Sequence, residues 1–226
     1  AQFCLDIERK EHLTSTGSIV GLDMGISHLW TDSNGNILEN PRTLKQAEKA
    51  LKQAQRRVSR KQKGSSNRKR QIKRLAKKHL KVQRQRKDFA IKAARALYQS
   101  HDLVVIENLQ IKNMLKNHNL AKAISDASWH QVKRWLEYFS QVFSKGFVIV
   151  SPHHTSQDCS SCGKRVAKSL SERVHHCESC GLELDRDHNA ALNILSKGIG
   201  LVGTVGHTET RHLKDVETPV ERRTAA

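Results

Sequence analysis

Four of the five cysteines stand in two short pairs, Cys159-x2-Cys162 and Cys177-x2-Cys180, with fourteen residues between the pairs. Each pair places two thiols on one tight knuckle, and Gly163 and Gly181 follow where the chain must turn sharply. Two such knuckles can surround one Zn²⁺ with four sulfurs at ~2.3 Å, a closed tetrahedral site with no position for water. Two disulfides are the competing arrangement. No charged-then-apolar leader opens the sequence, so an intracellular, cytoplasmic setting is expected and zinc is preferred over disulfides. His153, His154, His175 and His176 lie nearby as alternative ligands; with four thiols available they are expected to be polar loop residues within reach of phosphate. Cys4 stands alone and is expected to be a buried apolar residue.

The charge is as unevenly placed as the cysteines. The 226 residues carry a net +18, yet residues 42–95 alone hold 22 Lys and Arg against Glu48 and Asp88. Such a density repels itself unless an anion lies alongside, and a polyphosphate backbone is the natural partner. Leu44, Ala47, Leu51, Ala54 and Val58 alternate by three and four, the stripe of one helical face. The run Gly64-Ser65-Ser66-Asn67 interrupts it, and Ile72, Leu75, Val82 and Phe89 resume it. Two antiparallel helices joined by a short turn are predicted, the first about 20 residues and ~30 Å long. The bases expected to touch nucleic acid are Arg56, Arg57, Arg60, Lys61, Arg68, Lys69, Arg70, Lys73, Arg74, Lys77 and Lys78. Phe89 is the only aromatic of the segment, so contact to phosphate and groove shape is expected rather than base stacking. No apolar run approaches the ~18–20 residues of a membrane span, and no membrane partner is expected.

Three acids are set apart by their surroundings. Asp23 lies in the apolar strand Ser18–Gly25, a costly place for an unpaired carboxylate. It is assigned to the first strand of a hairpin whose turn is Asn34-Gly35. Glu107 ends the apolar run Leu103–Ile106, a pattern of burial on both faces, at the strand end where α/β sheets expose their sites. Asp187 opens a helix containing Ala190, Ala191 and Ile194, and by itself reads as a cap. An amphipathic helix near residues 127–144, with Val132, Trp135, Leu136, Phe139 and Phe143 inward, and a strand over 147–150 complete an α/β domain with two insertions.

Taken in order, Gly21-Leu22-Asp23-Met24-Gly25, Ile106-Glu107-Asn108-Leu109, the two Cys-x-x-Cys-Gly knuckles and Asp185-Arg186-Asp187-His188-Asn189-Ala190-Ala191-x-Asn193-Ile194 resemble the C-terminal half of the TnpB (OrfB) family. Thr155-Ser156-Gln157-x-Cys159 resembles that family's approach to its ribbon, and the match covers roughly residues 1–200. The resemblance implies an RNase H-like (RuvC-like) nuclease domain over 17–157 and 182–199. A basic helical hairpin insertion at 42–99 and a zinc-ribbon insertion at 158–181 interrupt it. It maps the family's acidic positions onto Asp23, Glu107 and Asp187, with Arg186 and Asn189 as neighbours rather than ligands. Mg²⁺ or Mn²⁺ suits such all-oxygen donors.

The implied function is a metal-dependent DNA endonuclease of a mobile element, with DNA and guide RNA as partners, in the cytoplasm and at the nucleoid of a prokaryote. The alternative is a truncated, catalytically impaired zinc-ribbon DNA-binding protein acting as a repressor or remnant. Residues 1–12 are expected to be a remnant strand of a missing N-terminal β domain, and 200–226 a disordered tail.

Overall fold

The computed structural model describes residues 9–169 and 171–204. The expectations for Cys4, for the strand at residues 3–8 and for residues 205–226 lie outside them. In chain order the elements are β1 (Ile19–Met24), β2 (His28–Asp32), β3 (Ile37–Glu39), α1 (Thr43–Ser59), α2 (Ser66–Ser100) and β4 (Leu103–Glu107). They continue with α3 (Ile111–Met114), α4 (His118–Ala127), α5 (Trp129–Val142), β5 (Gly146–Val150), β6 (Val174–His176), β7 (Glu183–Asp185) and α6 (Arg186–Thr204).

Five strands form one sheet in the order β3-β2-β1-β4-β5, with β1, β4 and β5 parallel and β2 and β3 antiparallel to their neighbours. Asn34-Gly35 joins β2 to β3, where Gly35 takes φ +83° and Asp32 accepts from the Asn34 and Asn36 amides, both at 2.8 Å. Asp23 is therefore not in that hairpin, contrary to the expectation from sequence. It lies on β1, the central strand, paired antiparallel with β2 and parallel with β4. The preference of the Asn-Gly pair fixes only the turn it occupies; a second, less marked turn at Gly25 to Ser27 precedes it.

Strand alternation then sorts side chains onto two faces. Val20, Leu22, Val104 and Ile106 pack against α2, α4 and α5, in a core that also holds Ala94, Tyr98, Trp129, Val132, Leu136 and Phe139. Val105 and Val150 pack on the other face, against Ile194 of α6. The apolar run of β4 is thus covered on both sides, as its composition predicts. Glycine lets α6 approach closely: a Cβ on Gly21 would lie 2.7 Å from the Leu195 nitrogen and 2.8 Å from its Cβ. The helix also runs on through Gly200 and Gly203 to Thr204, further than the tail beginning at residue 200 allowed.

The basic segment forms the two helices expected, α1 with 17 residues and α2 with 35, spanning ~26 and ~52 Å. Leu51, Ala54 and Val58 are buried on α1, and Ser65 caps α2 by accepting from the Arg68 amide at 3.2 Å. Ile72 is 45% exposed, so the predicted stripe is buried only nearer the body, at Val82. Nothing in α1's own sequence caps it. Asp126 of α4 does so, accepting from the Leu44 and Lys45 amides at 2.8 and 3.0 Å and from Arg86 of α2 at 2.8 Å. One buried carboxylate thus ties both helices of the hairpin to the body. Asp126→Ala should cost about 3 kcal/mol in urea denaturation, because it strands a partly buried arginine and uncaps a helix.

Candidate functional site

On β1 and β4 the odd-numbered residues face α6. Leu22 stands opposite Ile106 in the parallel register, so the next residues, Asp23 and Glu107, stand side by side beneath that helix. The first turn of α6 carries Asp187. The three acids therefore come from two adjacent strands and the helix packed over them. Asp23 is half-buried and its carboxyl is pushed up to about 8, first by desolvation, then by the charges of Glu107 and Asp187. No hydrogen bond steadies its carboxylate among the described residues. Glu107 is buried and its pKa is also raised, again first by desolvation, while a hydrogen bond from Thr155 Oγ1 and the charge of Lys197 act the other way.

The start of α6 separates the roles of two aspartates, Asp185 and Asp187. Asp185, not Asp187, is the cap: its carboxylate accepts from the amides of Asp187 and His188 at 2.8 and 3.1 Å. Asp187 is left to pair with Arg186 at 3.2 Å and Arg173 at 3.7 Å. The signal was present as Asp-x-Asp-His, since a cap serves amides two and three residues on. Among the described residues, the four cysteines alone form a group of three or more potential ligands lying within 4.8 Å of one another. The carboxylates are not drawn together that tightly, which is what mutual repulsion and the pull of Arg186, Arg173 and Thr155 dictate.

The cysteines converge as their spacing predicts. Cys159 and Cys180 sulfurs lie 3.6 Å apart and Cys162 and Cys177 sulfurs 3.7 Å apart, with no disulfide. A tetrahedral ion with ~2.3 Å Zn–S bonds has sulfur edges of ~3.8 Å. The knuckles match one another: Gly163 and Gly181, at φ +72° and +73°, donate to the carbonyls of Cys159 and Cys177 at 2.9 and 2.8 Å. The pKa of the Cys177 thiol is lowered, first by the backbone N–H of Cys180. Among the described residues no histidine joins the cluster. His175 is not a loop residue, however, but fully buried on β6 beside the Lys168 amine.

Of the eleven bases singled out on the hairpin, ten are exposed and Arg68 is half-buried. None of the eleven forms an ion pair among the described residues; the hairpin's two acids are taken by Lys52, Lys122 and Lys92. The cluster of uncompensated charge is therefore a surface that attracts polyanions. No helix among the described residues is long and apolar enough to cross a membrane.

Comparison with known proteins fits this arrangement. Residues 2–118 match the OrfB_IS605 family, described as "Probable transposase", and residues 129–194 match the Cas12f1-like TNB domain. A Streptomyces pristinaespiralis protein named "Putative RNA-guided DNA endonuclease" is 40% identical over 187 residues, covering 82% of this chain and 46% of that protein. "Putative RNA-guided DNA endonuclease InsQ" of Escherichia coli K12 is 31% identical over 228 residues, covering 93% of this chain and 56% of that protein. The chain thus spans about half the length of the curated relatives it matches. In fold it is similar to Cas12f1, solved as a complex with sgRNA and target DNA, with a TM-score of 0.52 at 19% identity over 82% of this chain and 51% of that one. A mixed α/β sheet of this kind and a family match over more than half the chain lead to one assignment: this protein belongs to the OrfB_IS605, or TnpB, family.

Proposed function

We propose that this chain is the nuclease portion of a metal-dependent, RNA-guided DNA endonuclease. Residues 17–157 and 182–199 form its RNase H-like (RuvC-like) domain, 42–99 its basic hairpin and 158–181 a zinc ribbon. One observation carries the proposal: Asp23 and Glu107 stand on adjacent strands beneath the first turn of α6 that carries Asp187, and Asp23 has no hydrogen-bonding partner among the described residues to offset their charges. Such a cluster fits divalent cations, because a bound ion removes the repulsion that burial intensifies. Asp23, Glu107 and Asp187 would hold Mg²⁺ or Mn²⁺. The chemistry such ions would supply there is activation of a water and charge stabilisation at the leaving 3′ oxygen in phosphodiester hydrolysis.

The chain's own residues have separable parts in this reading. Thr155 orients Glu107, and Arg186 and Arg173 hold Asp187 at the mouth of the cluster. The hairpin bases bind duplex or heteroduplex backbone, and the cysteine knuckles brace the start of α6. The direct test is cleavage of labelled single-stranded DNA with Mg²⁺, which should occur with the wild type and vanish in Asp23→Ala. Equal residual cleavage by both would refute the nuclease reading and leave a DNA-binding protein.

The hairpin offers an independent measurement. Replacing Arg56, Arg57, Arg60 and Lys61 together by Ala should weaken duplex binding alike for all sequences. It should also flatten the dependence of log affinity on log salt by about 0.9 for each phosphate no longer neutralised. An unchanged salt slope would remove α1 from the binding surface.

A further inference from the structure

Between the cysteine knuckles and the acid cluster runs a short chain of buried polar contacts. Asn189, fully buried on α6, accepts from the Ser160 amide at 3.0 Å and donates to the Asp158 carbonyl at 2.9 Å, so it holds the first knuckle next to Cys159. Asn193, one turn further on, donates to the same Asp158 carbonyl at 2.7 Å and to the Thr155 carbonyl at 2.8 Å. Thr155 is itself buried, and its hydroxyl lies on the Glu107 carboxylate, with the Pro152 carbonyl 3.3 Å away as a second acceptor. Asn189 and Asn193, spaced one helical turn apart, thus fix the backbone of 155–160, and that backbone delivers one hydroxyl to one carboxylate.

We propose that Thr155 is the positioning residue for Glu107, and that Asn193 sets its place from α6. The inference rests on the reading of Glu107 as a divalent-metal ligand. Glu107 closes β4, and beyond its backbone pairing the side chain is free to rotate about its own bonds. A hydroxyl donated to one carboxylate oxygen limits that rotation and leaves the second oxygen to serve a cation. Outer contacts of this kind hold a ligand in its binding orientation before the ion arrives. Because the same asparagines also hold the Cys159 knuckle, the metal-binding acid and the cysteine cluster share one mechanical frame. This explains why a polar, rather than apolar, pair of residues occupies the inner face of α6 here.

The test is calorimetric titration of the zinc-loaded 226-residue chain with Mn²⁺, alongside zinc content and thermal melting. Thr155→Val, nearly isosteric but without the hydroxyl, should bind Mn²⁺ about tenfold more weakly while keeping its zinc. Thr155→Ser, which restores the hydroxyl, should recover most of the affinity. Asn193→Ala should also weaken Mn²⁺ binding, although it touches no carboxylate, and it carries the test if Thr155→Val melts too low to titrate. Wild-type affinity in both Thr155→Val and Asn193→Ala, with binding lost in Asp23→Asn, overturns the inference alone. Thr155→Ser as weak as Thr155→Val overturns it too, since the hydroxyl would then be irrelevant. No Mn²⁺ uptake by the wild type, or uptake unchanged in Asp23→Asn, overturns the metal reading and this inference with it.

Discussion

Asp23→Asn is expected to abolish Mg²⁺-dependent cleavage, by about a thousandfold or more, while making the metal-free chain more stable. The loss follows from the proposed role of Asp23 as a charged ligand, since a bound ion would supply several kcal/mol of transition-state stabilisation, at 1.36 kcal/mol for each factor of ten. The gain follows from the pKa of the same carboxyl, which burial first, then Glu107 and Asp187, push up to about 8. Its unfolded value is ~3.9, so between about pH 4 and 8 the folded chain holds a proton that the unfolded chain has released. The contribution of this group to stability therefore falls as pH rises through that window, and above it the full cost of a buried, repelled charge is present. Asparagine carries no such charge. At pH 8 the metal-free variant should melt several degrees above the wild type, and added Mg²⁺ should close the gap by stabilising only the wild type. An ion taken up at the proposed site would displace the Asp23 proton below about pH 8. Wild-type Mg²⁺ affinity should accordingly climb up to roughly tenfold per pH unit between 6 and 8 and then level off. A variant that melts below the wild type across this range, or a metal affinity flat with pH, would contradict the assigned environment of Asp23.

Zinc removal should have the second large effect, confined at first to one part of the molecule. Between residues 158 and 185 the only buried residues among those described are Cys159, His175 and Cys177. The segment has a three-residue strand pair, β6 with β7, and no apolar core to hold it. In the proposed zinc ribbon its order would come from metal–thiolate bonds, which contribute ~10–16 kcal/mol of apparent binding energy in small zinc domains. After verified zinc removal, amide protection over 159–180 should collapse to that of an unfolded chain. The first turn of α6, held from that side by Asn189 and by the Arg186 amide donating to the Arg173 carbonyl at 2.7 Å, should exchange faster as well. The core around Tyr98, Val132 and Leu136 should remain protected, since it lies on the opposite face of the sheet. Retained near-native melting and protection after chelation would leave the cysteines without a structural role.

Features controlled by short-range chemistry were legible in the order of residues. Two Cys-x-x-Cys-Gly pairs sufficed for the cysteine cluster, because a knuckle is built from neighbouring residues and its glycine permits the positive φ it needs. The three-and-four stripe sufficed for α1 and α2, the apolar run for a doubly covered β4, and the charge count for an exposed basic hairpin. The remaining features emerged with folding, because they depend on groups brought together from distant parts of the chain. Local pattern put Asp23 in the wrong hairpin and made Asp187 the cap, whereas strand order and the Asp185 contacts assign both differently. Asp126 shows no local signal, yet it caps a helix more than eighty residues before it. Thr155 and Asn193 look like ordinary polar residues until folding puts one against Glu107 and the other behind it. The proximity that raises Asp23 likewise exists only once β1, β4 and α6 have packed, since charges far apart along a solvated chain scarcely interact.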